Sequence, residues 1–168
     1  MDYIKMGKAF KFGDNIDTDQ IYPGRFVQFT DVDDIAKYAM KGADPVFTEK
    51  ISPGDIIVAG KNFGCGSSRE HAAITLKAVG ISFIIAESFG RIFYRNAINL
   101  GLPLIVCPGV TQSVNNEDFI TVDIEHNRIS KEGNYIFEIE PFSDYVLNIL
   151  EHGGIKPLIQ KQLLAKQQ

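Results

Sequence analysis

Short apolar runs, separated by glycine and proline, set the plan of this chain. Ile56-Ile57-Val58-Ala59 is followed by an apolar-periodic segment from about Ser68 to Val79, Ser82 to Ala86 by another near Phe89 to Asn99, and these by Pro103 to Cys107. Strand, helix, strand, helix, strand at this spacing predicts parallel pairing through right-handed crossovers. Gly80 and Gly101 stand where the two helices should stop. Upstream, Tyr3 to Phe12 alternates loosely as a strand does, and Thr30-Asp31-Val32-Asp33 has the spacing of a capping box before a short helix through Ile35, Ala36, Tyr38 and Ala39. Downstream, Phe119 to Glu125, Arg128 to Ser130 and Tyr135 to Ile139 are strand-like, Ser143 opens a helix stopped by Gly153-Gly154, and Pro157 to Leu164 adds a last one. The pattern gives an α/β class with a largely parallel central sheet. No repeat or linker interrupts it, so residues 1–168 are expected to form one domain.

Composition narrows the classes. A chain of 168 residues with 45% hydrophobic content is long enough to build a core without staples. Lys and Arg total 17 against 21 Asp and Glu, and no block of like charge occurs, so nucleic acid is not an expected partner. No run reaches the ~20 apolar residues that span a bilayer, and Met1-Asp2-Tyr3-Ile4-Lys5 lacks the features of a secretory signal. A cytoplasmic location is expected, with no membrane partner. Cys65 and Cys107 are far apart and form no Cys-x-x-Cys pair, so neither a disulfide framework nor a metal site within the chain is predicted.

The stretch richest in candidate chemistry is Lys61-Asn62-Phe63-Gly64-Cys65-Gly66-Ser67-Ser68-Arg69-Glu70. It places two glycines, two hydroxyls and a guanidinium between a strand and a helix start, where unpartnered N–H groups and the helix dipole favour an anion. It is not a P-loop, since Ser67 stands where lysine is needed, nor a dinucleotide fingerprint, since Arg69 replaces the third glycine. The competing account is purely structural: Ser67 or Ser68 caps the helix, with Glu70 completing a capping box. Cys65 reads as packed or incidental and His71 as a packing or hydrogen-bonding residue. Gly13-Asp14-Asn15-Ile16-Asp17-Thr18-Asp19-Gln20 reads as a solvated acidic turn, without the terminal bidentate acid of an EF-hand.

Three motifs in order, Asp17-Thr18-Asp19-Gln20-Ile21-Tyr22-Pro23-Gly24-Arg25, Asn62 through His71, and Arg91-Ile92-Phe93-Tyr94-Arg95-Asn96-Ala97-Ile98-Asn99, resemble the small subunits of 3-isopropylmalate dehydratase in the aconitase superfamily. The resemblance covers nearly the whole chain and is densest from residue 13 to residue 106. It implies a swivelling β/β/α domain like the last domain of aconitase, and a separate large subunit, in a heterodimer or heterotetramer, holding a [4Fe-4S] cluster on its own cysteines. This chain alone would bind no cofactor, and two cysteines fall short of the usual cluster ligand set. Ser67 matches the family's catalytic base, which takes a proton next to a carboxylate while an open iron site acts on the departing hydroxyl. Ser68 and Arg69 match substrate-binding positions, and Asp19 the active-site aspartate.

Val27-Gln28-Phe29 lies in the loop that separates substrates in this family. Homoaconitase-like relatives have arginine where this chain has Gln28, and its absence argues against a substrate with an extra carboxylate. Val27 and Phe29 could meet an alkyl group. The resemblance thus implies a hydro-lyase subunit acting on isopropylmalate in leucine biosynthesis, with methylmalate or 2,3-dimethylmalate and, after these, homoaconitase activity as alternatives. A non-catalytic carboxylate-binding subunit is the reading from another class. Residues 25 to 50 are expected to be mobile without the large subunit.

Overall fold

The computed structural model describes residues 1–168. Strand β1 (Ile4–Lys11) leads to helix α1 (Thr18–Ile21), a 3-10 turn at Gly24–Phe26, and short helices α2 (Val32–Ala36) and α3 (Phe47–Lys50). The central units are β2 (Ile56–Ala59), α4 (His71–Ala78), β3 (Phe83–Ala86), α5 (Arg91–Asn99) and β4 (Leu104–Val106). Helix α6 (Val110–Ser113), strands β5 (Phe119–Asp123), β6 (Arg128–Lys131) and β7 (Asn134–Glu138), and helices α7 (Asp144–Glu151) and α8 (Ile155–Lys166) complete the chain.

One seven-stranded sheet runs in the order β4-β3-β2-β1-β5-β6-β7. Strands β1 to β4 are parallel neighbours; the strand–helix alternation predicts this for β2 to β4, and the structure adds β1. On its other edge β1 pairs antiparallel with β5, and β5, β6 and β7 continue as an antiparallel meander. The central parallel strands β2 and β3 are apolar on both faces because both are covered. Ile57, Ala59, Ile84 and Ala86 enter a core shared with α4, α5, α7 and α8. Ile56, Val58, Phe83 and Ile85 enter a second core with Ile120, Val122 and Ile129 of the antiparallel strands. The sheet therefore curls back over itself, giving helices, parallel strands and antiparallel strands as successive layers. No helix is long and apolar enough to cross a membrane.

Three short helices lie where the sequence pattern shows only turns. Asp17 caps α1 with a complete capping box: its side chain accepts from Gln20 N–H, and the Gln20 side chain accepts from the Asp17 N–H. The acidic turn is thus ordered by its own carboxylates. Helices α3 and α6 are four residues each and too short to show a period. Helix α2 starts one residue later than the capping box at Thr30 suggests, because Asp31 is its cap.

Asp55 clips the start of β2 to its neighbours. It is 8% exposed, and its carboxylate accepts the Lys8 N–H at 3.1 Å and the Ser52 N–H at 2.8 Å. Asp55→Ala strands both donors and should cost about 2–3 kcal/mol in urea unfolding, with Asp55→Asn recovering part of the loss.

Candidate active site

Because β1 to β4 are parallel, the loops that follow them emerge at one end of the sheet. Ligands of open α/β sheets bind at that carboxyl end. The three motifs singled out in the sequence lie on these loops: residues 13–25 after β1, 60–71 after β2, and 88–99, with α5, after β3.

The middle loop is held from both sides. Toward the first loop, Lys61 N–H donates to the Asp14 carboxylate at 2.7 Å, Gly64 N–H to Ile16 O at 2.7 Å, and Thr18 N–H to Cys65 O at 2.9 Å. Toward the third, Asn62 N–H donates to Ser88 Oγ at 2.8 Å and Phe63 N–H to Ser88 O at 3.0 Å. Phe63 is buried, its ring edge-on to Phe93 with centroids 5.5 Å apart. Gly64 has φ +82°, and a Cβ there would enter the Phe93 ring. Only glycine fits this site.

Ser67 is exposed, and its hydroxyl lies 3.0 Å from Thr18 Oγ1, which is buried. Thr18 is the residue that sequence reasoning missed: it sits inside the first motif, but nothing local marks it as a partner of Ser67. Arg69 Nη1 donates to Tyr22 O at 2.8 Å and to Asp19 Oδ1 at 3.2 Å. The same Asp19 oxygen accepts the Gly24 N–H at 2.8 Å. A Cβ on Gly24 would sit 3.2 Å from Arg69 Nη2, so the glycine keeps the guanidinium accessible. Asp19 and Arg69 are thus paired, and Ser67 meets the same helix α1 through Thr18.

One expectation is corrected and another qualified. Helix α4 begins at His71 rather than near Ser68, Glu70 stands at its cap position, and no side chain caps it. Neither serine is a cap: Ser67 turns to Thr18, and Ser68 is exposed with no hydrogen bond inside the chain. The N–H groups of Ala72 and Ala73 turn back to the carbonyls of Arg69 and Glu70. The fixed positive charge offered to an anion is that of Arg69, beside the unpartnered N–H groups of Glu70 and His71 at the helix start. The acidic stretch is solvated as expected at Asp14 and Asp19, but it is also ordered, since Asp14, Asp17 and Asp19 each accept a backbone N–H.

The loop at residues 26–29 stands on an aromatic stack. Phe26 lies on Tyr38 with centroids 3.9 Å apart, and Phe29 on Tyr38 at 5.3 Å. His71 stacks on Tyr22 at 5.1 Å, and its Nε2 lies 3.0 Å from Phe29 O, the packing role expected of it. Phe29 is thereby turned inward, while Val27 and Gln28 face solvent. Cys65 is half-buried beside Arg91 and Arg95. Cys107 is buried in the core behind β4, and burial followed by the Glu87 charge pushes its thiol up to about 11. No three His, Cys, Asp or Glu side chains are grouped to hold a metal ion. The donors present do not fit an iron–sulfur cluster.

A family model for the aconitase C-terminal domain matches residues 15–108. Over 157 residues the chain is 52% identical to 3-isopropylmalate dehydratase small subunit 1 of Methanopyrus kandleri, covering 93% of this chain and 92% of that one. It is 48% identical over 165 residues to the isopropylmalate/citramalate isomerase small subunit of Methanocaldococcus jannaschii, covering 98% of each. A methanogen homoaconitase small subunit of Methanothermobacter thermautotrophicus is 47% identical over 156 residues, covering 92% of this chain and 90% of that one. The crystal structure of 3-isopropylmalate dehydratase from Methanocaldococcus jannaschii matches with a TM-score of 0.92 at 41% identity, covering 98% of both chains.

The Gly24 N–H and then Arg69 hold the Asp19 carboxyl below its ordinary value of 3.8. Its contribution to stability is present above that ordinary value and is lost as pH falls through the lower folded one. In Arg69→Gln the Gly24 bond remains, so the Asp19 pKa should rise toward 3.8 without passing it, as read by a carboxyl carbon-13 titration.

Proposed function

This chain belongs to the aconitase C-terminal domain family and to its 3-isopropylmalate dehydratase small subunits, and we propose that it serves a hydro-lyase that interconverts 2- and 3-isopropylmalate by dehydration and rehydration, in leucine biosynthesis. The observation that carries this reading is the meeting of Ser67, Arg69 and Asp19 on one open edge, from loops that follow adjacent parallel strands. In this proposal residues 1–168 act as one swivelling domain. An iron–sulfur large subunit carries the [4Fe-4S] cluster on its own cysteines and closes over that edge, in a heterodimer or heterotetramer.

Each residue has a role its surroundings support. Ser67, once its own proton has left, takes the proton from the carbon next to a substrate carboxylate and returns to the neutral hydroxyl; the Thr18 hydroxyl, 3.0 Å away, can donate to the Ser67 alkoxide before that transfer. Arg69 keeps Nη2 free of partners in the chain and offers it to a carboxylate, with the exposed Ser68 hydroxyl beside it. Asp19 orients Arg69 and, in the complex, a residue of the large subunit. Val27, 43% exposed, meets the alkyl group, with Phe29 supporting the loop from beneath and Gln28 bounding the space.

A second reading keeps the chemistry and changes the substrate to another substituted malate, such as methylmalate or 2,3-dimethylmalate. It is favoured by the name of the Methanocaldococcus relative and by the polar Gln28. The homoaconitase relative raises a tricarboxylate as well. Against it, Gln28 offers no cation, and the Arg25 guanidinium lies over the Phe26 ring, 4.6 Å from its centroid.

Ser67→Ala separates catalysis from structure. Losing one part-buried hydrogen bond, which leaves the buried Thr18 hydroxyl without that partner, should cost about 1–3 kcal/mol, while losing the base should lower turnover of the reconstituted complex at least ~10²-fold. Near-normal turnover would show that Ser67 is not the base. In anaerobic assays with the large subunit, isopropylmalate or methylmalate should be preferred to homocitrate, and the reverse order would sink the reading of Gln28.

A further inference from the structure

Helix α5 carries its charge at the wrong end. Arg91 occupies its first position and Arg95 lies one turn on, and the first turn has no acidic residue. A cation at a helix N-terminus opposes the dipole, and like charges four residues apart repel. None of the chain's ion pairs relieves this, since Arg91 and Arg95 take part in none. Both arginines are exposed, and the chain as a whole has a net charge of −4. With Arg25 and Arg69, which both act on Asp19, four of the five arginines belong to the loops and helix at the carboxyl end of the parallel strands. Of these four, Arg69 is paired with Asp19, whereas Arg91 and Arg95 have no acidic partner.

The surroundings of the two arginines have the composition of an interface. On one side they line, with Cys65 and the exposed Ile92, a cleft of about 410 Å³ whose walls include Gly64 and Gly66, so it continues directly into the Ser67 loop. On the other they border a cleft of about 680 Å³ with Phe89, Tyr94, Val106 and Tyr145. Ile92 is 48% exposed, Val106 51% and Tyr145 71%. Arginine and aromatic residues around exposed apolar side chains are what the buried centre of a protein interface is made of. No carboxylate lines either cleft.

We infer that the N-terminal half of α5 docks an acidic segment of the large subunit, whose carboxylates lie between Arg91 and Arg95 while apolar side chains cover Ile92 and Tyr145. The inference rests on the reading of this chain as a small subunit and adds where the partner is gripped. The surface adjoins the Ser67 loop, so a partner seated there also covers the open edge of the site.

The test uses the anaerobically reconstituted complex, titrating a fixed amount of large subunit with this chain and following both turnover and co-elution on size exclusion. R91E/R95E should raise the half-saturating concentration at least ~10-fold and lose the salt sensitivity of the unsubstituted pair, with turnover at saturation kept within about threefold. R91Q/R95Q is the milder variant should charge reversal disturb folding, and Tyr145→Ser should weaken assembly without changing charge. Unchanged half-saturation in folded variants would overturn the inference. So would lost turnover at unchanged half-saturation, which would put the arginines on the substrate, or loss of self-association of this chain alone. If the complex turns over no substituted malate yet R91E/R95E still weakens co-elution, the docking surface stands and the assigned reaction falls.

Discussion

The backbone at Gly64 lies against the Phe93 ring, and the carboxyl end of the sheet is built around that contact. The residue has φ +82° and no room for a Cβ. Its N–H is bonded to Ile16 O, and the residue before it is bonded to the loop after β3. One close approach thus ties three loops together. The aromatic cluster of Phe63, Phe89 and Phe93 supplies the apolar support beneath it. Gly90 belongs to the same constraint, since a Cβ there would meet the Gly64 carbonyl oxygen at 2.7 Å. Side chains mounted on loops fixed in this way need little further ordering when a ligand arrives.

The Asp19–Arg69 pair follows a different logic. Asp19 has a side chain 70% exposed, so the pair adds little to stability, and its Coulomb energy is screened by water. In the proposed reading it matters instead for orientation, because Asp19 engages Nη1 and leaves Nη2 for a carboxylate. Arg69 is held in position by the Tyr22 carbonyl, while its contact with Asp19 is the longer of its two Nη1 bonds. An incoming carboxylate can therefore be accepted without rebuilding the guanidinium's anchor.

Much of this architecture is legible in the chain because β2, β3 and β4 are short unbroken apolar runs and the crossovers between them end in a glycine. Gly80 and Gly101 both adopt positive φ, +99° and +84°, where the pattern stops the helices. The antiparallel strands and the Ser143 cap were equally plain. The site was legible only in part. Asp19, Ser67 and Arg69 are marked by motif, but Thr18 is visible as a partner only once β1 and β2 lie side by side, 49 residues apart in the chain at that contact. The capping box at Ser67 failed for a related reason: tertiary hydrogen bonds hold Gly64 and Cys65 and turn the Ser67 hydroxyl toward Thr18, overriding a local signal. Phe29 shows the same override, drawn inward by Tyr38 although the sequence offers it to a ligand.

On the proposed reading of Ser67 as the base, its exposure bears on where its reactivity arises. A serine hydroxyl in contact with water, with a neutral threonine as its hydrogen-bond partner, has no group beside it that strongly favours the alkoxide. Arg69 is the nearest fixed charge in sequence, and Asp19 partly neutralises it. Lowering the cost of deprotonation then requires two changes that this chain does not make alone. Water must leave, so that the remaining dipoles and charges act through a lower dielectric, and the carboxylate next to the reacting carbon must take over Arg69 so that its growing charge is met there. Both changes follow from closure by a second chain. In the proposed reading, separation into two subunits therefore keeps the base inactive until substrate and partner are in place.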